Sequence, residues 1–175
     1  MKIITEEKFN VMKNCGTTRI SINPQTFSDS VLKEIGRNHT SEETLSAFAM
    51  ARKKGFDNIN TDLIAGLPTD TLESFEATLD KAIELSPENI TVHTLALKRS
   101  STIVTEGKKT NSPHLTRDML TMVQKKLTKA GYEPYYMYRQ SKSLGNLENV
   151  GWAKKGYEGI YNVYMMEECH TILSV

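Results

Sequence analysis

Apolar and polar positions run through residues 17–68 in one design used twice: a short β-rich stretch meets a polar residue, and loop and helix signals follow. The first pass, TRISINPQTF, alternates from Thr18 to Asn23 and then reaches Pro24 and Gln25. Alternation of β-branched with polar residues predicts a strand. The second pass, NINTDLIAGLP, predicts a strand over Asn58 to Ala65, with Asp62 inside it and Gly66-Leu67-Pro68 ending it. Helical spacing occupies the intervals. ITEEKFNVMKNCG predicts an amphipathic helix from Thr5, with Phe9 and Met12 on one face. Asp29 or Ser28 caps a short helix that Gly36 ends. Thr40 and Glu43 have capping-box spacing for a helix through Lys54, with Leu45, Phe48, Ala49 and the Arg52 stem on its buried face and Gly55 beyond its end. Asp70 opens a helix that repeats Leu72, Phe75, Leu79 and Ile83, and Pro87 forbids its continuation. NITVHTL predicts a third strand over Asn89 to Leu95. A polar loop from Ser100 to Pro113 leads to a helix lined by Met119, Met122, Val123, Leu127 and Ala130 before Gly131.

Strand–helix units with short loops predict an α/β fold whose sheet is parallel and whose crossovers are right-handed. An open doubly wound sheet and an arc of a (β/α) barrel both satisfy the pattern. The last third reads differently: EPYYMYRQ predicts a strand, residues 141–159 a long loop, and IYNVYMMEE a further strand leading to a helix. The chain opens on a helix and closes within the apolar run HTILSV, which predicts a piece of a larger strand–helix repeat.

Composition changes this picture little. The chain has 175 residues, 38% of them hydrophobic and 25% charged, which suits one globular domain. Its 22 basic and 21 acidic residues give a net charge of +1, so no long-range field draws it to nucleic acid or an anionic membrane. Two distant cysteines, Cys15 and Cys169, argue against a disulfide scaffold and fit a reducing compartment. No apolar run is long enough to cross a bilayer and no signal-peptide pattern opens the chain, so a cytoplasmic location is expected.

Candidate chemistry collects at strand carboxyl ends, where α/β folds bind ligands. Asp62 lies among Ile59, Leu63 and Ile64, so its carboxylate either faces a ligand or anchors a neighbouring loop. Gln25 follows Pro24 and is either a ligand amide or a capping amide. Arg37 follows Gly36 at a helix end, either as an exposed cation against the dipole or as a fork for a carboxylate. His93 reads as a satisfied strand residue. Glu167 and His170 form a single E-x-x-H pair where di-iron sites need two, and no metal ligand set emerges. Tyr132, Tyr135, Tyr136 and Tyr138 with Arg139 are either strand core or a floor for a flat ligand. No residue is assigned a catalytic role.

SINPQTF, LKEIGRNHT and FDNINTDLIAGLPTDT together resemble the middle of the radical S-adenosylmethionine (SAM) enzymes related to oxygen-independent coproporphyrinogen III oxidase. The continuations VHTLALKRSS, YYMYRQ and GNLENVGWAKKGYEGIYNVYMMEECHTIL resemble the HemZ-type, coproporphyrinogen III dehydrogenase-like branch. The resemblance implies a (β/α) radical SAM partial barrel over 1–140 and an extension of loop, strand and helix over 141–175. It implies SAM and a [4Fe–4S] cluster as cofactors, and a small tetrapyrrole as substrate. Reductive cleavage of SAM in that family gives a radical that abstracts hydrogen from a substrate propionate, and loss of carbon dioxide leaves a vinyl group.

Carried over by motif, Gln25, Arg37, Asp62 and Ala96 are implied as SAM contacts. The family's CxxxCxxC motif and its glycine-rich strand end are absent from these residues, and both are expected upstream of Met1. A [4Fe–4S] cluster needs thiolates, so the chain is expected to be an internal fragment, inactive alone, that self-associates through an open barrel edge. A haem-trafficking relative and a non-catalytic α/β ligand-binding module are the other readings.

Overall fold

The computed structural model describes residues 5–97, 102–107, 110–168 and 171. Seven helices and five strands are described: α1 (Glu6–Asn14), β1 (Ile20–Ser21), α2 (Asp29–Glu34), α3 (Ser41–Lys53), β2 (Ile59–Ala65), α4 (Leu72–Leu85), β3 (Asn89–Thr94), α5 (Thr102–Thr105), α6 (Pro113–Lys129), β4 (Glu133–Tyr138), β5 (Asn149–Ala153) and α7 (Ile160–Glu167). The strands form one sheet in the order β1-β2-β3-β5-β4. Pairing is parallel from β1 to β3 and antiparallel from β3 through β5 to β4. The sheet is open, with β1 and β4 at its edges.

Local chemistry explains most boundaries. Thr40 accepts from the Glu43 amide while the Glu43 carboxylate accepts from the Thr40 amide, which closes the capping box expected there. Thr71 and Ser74 do the same for α4. Pro24 breaks β1 because it has no N–H to donate, yet the ladder resumes one residue later. The Gln25 amide donates to Asp62 O at 3.0 Å and Gln25 O accepts from the Ile64 amide at 2.9 Å. Gly66 ends β2 at φ +87°, where an added Cβ would lie 2.7 Å from the Thr116 hydroxyl. That close approach of β2 to α6 admits glycine alone.

Side-chain alternation sends Leu63 and Ala65 of β2, Ile90 and Val92 of β3 and Trp152 of β5 to the helix-covered face, where they meet Phe75, Leu79, Met119, Val123 and Leu127. A second cluster joins Phe9 of α1 to Ile20, Phe48, Phe56 and Ile59. The chain is held at the strand starts by Glu88, whose carboxylate accepts from both Arg52 guanidinium nitrogens at 3.0 Å and from the Ile59 amide at 2.9 Å. A bidentate fork of this kind ties α3 to the starts of β2 and β3.

Several expectations need correction. The buried face of α3 is Thr44, Ala47, Phe48 and Ala51. Leu45 is half-buried and Ala49 exposed, because docking Phe48 against Phe9 and Phe56 rotates the helix to the i, i+3, i+4, i+7 row through Thr44. The supposed loop 141–159 contains β5, which lies inside the sheet between β3 and β4. Gly151 conceals it, since mid-strand glycine reads as a break. Residues Ile160–Glu167 form a helix and not a strand, because β propensity counts only where a neighbouring strand supplies pairing. The polar loop before Pro113 contains α5. The parallel expectation for the strand–helix units holds for β1, β2 and β3, and the later strands β4 and β5 join the same sheet antiparallel.

Candidate functional site

The face of the sheet opposite the helices is polar. Period-two alternation places Ser21, Asn60 and Asp62, then Thr91 and His93, then Tyr136 and Tyr138 on this inner face across β1, β2, β3 and β4. Their side chains form a connected row. Asn60 Nδ2 donates to Asp62 Oδ1 at 2.8 Å, and Asn60 Oδ1 accepts from the Thr91 hydroxyl at 3.3 Å. Thr91 lies 3.3 Å from the Tyr136 hydroxyl. His93 Nε2 stands 3.8 Å from Asp62 Oδ1, and its Nδ1 lies 3.1 Å from the Tyr138 hydroxyl. The Tyr136 and Tyr138 rings are parallel within 4° at a 6.3 Å centroid separation.

Gly151 makes that row possible. A Cβ there would stand 1.8 Å from a Tyr136 ring carbon, so the ring lies flat over bare backbone of β5. Burial pushes the Tyr136 hydroxyl up to about 12, against the pull of its Thr91 hydrogen bond and with Tyr135, Tyr138 and Asp62 adding to the rise. Burial likewise raises Tyr138, opposed by the Asn149 amide and assisted by the Asp62 charge. Asn149 Oδ1 accepts from the Thr94 amide at 2.6 Å, and its buried Nδ2 approaches Tyr138 without completing a hydrogen bond. Both phenols therefore stay protonated donors at neutral pH.

The structure brings some of the sequence candidates together and separates others. Gln25 and Asp62 are joined through the β1–β2 ladder, with Gln25 at φ +69°, a left-handed conformation uncommon for a non-glycine residue. Local contacts fix that kink: Asn23 Oδ1 accepts from the Asp62 amide at 3.3 Å, and the His39 ring nitrogen Nε2 meets Pro24 O at 3.2 Å. Ala96 follows β3 at the same end of the sheet and pairs with Ser143. Arg37 is exposed beyond Gly36, and among the described residues its guanidinium has no carboxylate partner. Tyr132 leaves the aromatic group for the helix-covered core, where its hydroxyl donates to Pro87 O at 2.6 Å. Arg139 pairs with Glu148 at 2.9 Å.

Asn60, Thr91, His93, Tyr136 and Tyr138 are the residues that one-at-a-time reading left unassembled. Their signal was present in the period-two spacing of N-T-D in β2, T-V-H in β3 and Y-M-Y in β4. A groove of about 570 Å³ lies on the opposite face between α6 and β4–β5, lined by Leu120, Val123, Met137, Val150 and Trp152. Arg117, Gln124 and Glu148 also line it, and Tyr136 borders it.

Among the described residues no three His, Cys, Asp or Glu side chains converge on a metal position. Cys15 is exposed and by itself, Cys169 and His170 lie outside the described residues, and Glu167 is exposed. These residues do not fit a [4Fe–4S] cluster, which needs several thiolates. The inner face does fit part of an amine- and hydroxyl-bearing ligand such as SAM, since it presents a carboxylate and an amide. No described helix is long and apolar enough to cross a membrane.

Comparison with known proteins identifies the family. Residues 2–82 match the Radical SAM superfamily, a span that includes Gln25, Arg37 and Asp62; members of that superfamily use SAM and a [4Fe–4S] cluster. The chain is 43% identical over 175 residues to the oxygen-independent coproporphyrinogen-III oxidase-like protein HemZ of Bacillus subtilis, covering 98% of this chain and 35% of that protein. It is 37% identical over 95 residues to the heme chaperone HemW of the same organism, covering 54% of this chain and 25% of that one. The solved coproporphyrinogen III oxidase HemN from Escherichia coli superimposes with a TM-score of 0.72 at 25% identity, covering 95% of this chain and 36% of that chain. The chain thus spans about a third of the length of such relatives. It is a radical SAM superfamily sequence, related along nearly its whole length to the oxygen-independent coproporphyrinogen III oxidase-like proteins.

Proposed function

We propose that the inner face of β1, β2 and β3 is part of a SAM site, with Gln25, Arg37, Asp62 and Ala96 as its contacts. The observation that carries this reading is Asp62, a carboxylate gripped at one oxygen by Asn60 and set beside Gln25 within the superfamily match. SAM offers an ammonium group, a carboxylate and ribose hydroxyls, which ask for a carboxylate, a guanidinium and an amide. The exposed Arg37 is free to turn toward such a carboxylate.

The wider function we assign is oxidative decarboxylation of coproporphyrinogen III propionates to vinyl groups, giving protoporphyrinogen IX. The likeness to HemZ and HemN supports it. The substrate is then a small tetrapyrrole, with no role for nucleic acid. Because its cysteines do not fit the cluster, this chain alone is expected to be inactive. Isothermal calorimetry with SAM tests the site: binding by the chain that Asp62→Ala abolishes is the expected result, and no binding by the unaltered chain rejects it. Reconstitution with iron and sulfide that yields SAM cleavage by this chain alone would overturn the inactivity.

The match to HemW favours haem trafficking as the second reading. An absorbance titration in which the chain binds haem and ignores SAM would select it. The exposed edges of β1 and β4 also lead us to propose self-association by strand pairing. Sedimentation should then show a concentration-dependent dimer, and a monomer at every concentration would refute it.

A further inference from the structure

Asp62 has two oxygens, and the chain treats them differently. Asn60 Nδ2 donates to Oδ1 at 2.8 Å, and His93 Nε2 faces the same atom at 3.8 Å. Among the described residues no hydrogen bond reaches Oδ2. Behind His93, on its other nitrogen, stands Tyr138 at 3.1 Å. The three side chains come from β2, β3 and β4, so the sheet register and not local sequence lines them up.

We propose that His93 and Tyr138 are positioning residues for Asp62: the Tyr138 phenol donates to Nδ1, the imidazole carries its proton on Nε2, and that N–H holds Oδ1 so that Oδ2 faces the ligand. The proposal rests on the inner face being the ligand side. Its physical basis is the chemistry of the two contacts. A carboxylate only accepts, so the favourable group opposite Oδ1 is a donor. The other tautomer would set the Nε2 lone pair against a negative oxygen and leave the Tyr138 proton without that acceptor. The phenol has a proton to give, because a tyrosine titrates near 10 and burial raises this one further. The distance of 3.8 Å exceeds hydrogen-bond length, so Nε2–H acts here as an aimed dipole on a charge.

The arrangement also states what the ligand brings. Oδ2 is acceptor-only, so its partner is a hydrogen-bond donor, an ammonium or a hydroxyl of the ribose kind. A ligand that presents a carboxylate or a phosphate to this oxygen is repelled. His93 and Tyr138 touch Asp62 and each other and take no part in bond making, which separates their role from catalysis.

Two measurements test the proposal, and they fail independently. In the free chain at neutral pH, imidazole nitrogen-15 NMR should show His93 as the Nε2–H tautomer, and Tyr138→Phe should produce a tautomer mixture. An Nδ1–H tautomer in the unaltered chain would overturn the proposal whatever the chain binds. Calorimetry with SAM supplies the second readout. His93→Phe should weaken binding about tenfold, whereas His93→Gln, whose amide nitrogen reaches the place of Nε2, should stay within about threefold. Equal binding by His93→Phe and the unaltered chain would overturn the proposal, and so would a His93→Gln variant as weak as His93→Phe. If the unaltered chain binds no SAM, the functional reading falls and the tautomer alone decides the positioning role.

Discussion

The two faces of one sheet have opposite economies of contact. On the helix-covered face of β2, Leu63 and Ala65 have no exposure and belong to the main hydrophobic cluster. On the other face of the same strand, one residue away, Asp62 keeps 22% of its side chain exposed and is held by directional bonds. Burial of apolar area is non-directional and sets stability, whereas hydrogen bonds and charge set orientation. A strand with period two can therefore carry a core and a ligand surface at once, each nearly independent of the other.

The sharpest way to break that independence is to damage the core face. Leu63→Ala leaves a cavity among Phe75, Leu79 and Met119 and should cost about 3 kcal/mol in urea unfolding, with the inner-face tyrosine environment unchanged in the folded fraction. Nearly as large an effect should come from the strand starts. Glu88→Ala removes the acceptor of the buried Ile59 amide and the Arg52 fork, and should lower stability by about 2 kcal/mol. The half-exposed guanidinium rehydrates, so the loss is dominated by the amide.

Gly151→Ala crosses the comparison, because it acts on the inner face yet strikes a packed ring. The new methyl group displaces Tyr136 and should cost about 2 kcal/mol while breaking the Thr91–Tyr136 contact. A variant as stable as the parent would mean that the ring does not lie over β5. At alkaline pH the phenols supply a smaller probe. Tyr136 and Tyr132 are both raised from 10 to about 12, chiefly by burial. A raised pKa means the unfolded state loses its proton first, so their contribution is intact below pH 10 and is lost as pH climbs toward 12. Absorbance at alkaline pH should show Tyr132 and Tyr136 titrating last, at about 12, with Tyr138 also late, and all three becoming ordinary in urea. The smallest stability effect belongs to Asp62→Asn, expected within about 0.5 kcal/mol because the side chain is partly exposed and keeps an oxygen that accepts from Asn60 Nδ2. A loss several times larger would show that the inner face is itself core.

Legibility followed the range of the interactions. The capping box of Thr40 and Glu43, the helix from Leu72 to Leu85 and the strand around Asp62 were readable because each depends on neighbours within a few residues. Gln25 and Asp62 were also nameable from their strands, although their joining across the β1–β2 ladder was not. β5 escaped because a strand centred on Gly151 makes sense only once Tyr136 is known to lie above it. His93 looked inert for the same kind of reason, since its partners are 31 and 45 residues distant in sequence.

By itself the sequence determined the helices α1, α2, α3, α4 and α6, the alternation of the first three strands and the presence of polar residues at their carboxyl ends, all consequences of local propensity and period. Only the tertiary structure decided that β5 enters the sheet antiparallel beside β3, that Tyr136 and Tyr138 reach the inner face, and that Asn60 and His93 meet Asp62 at the same oxygen. Register is the physical cause. Shifting one strand by a residue would send every one of these side chains into the opposite face, and register is fixed by packing between elements far apart in the chain.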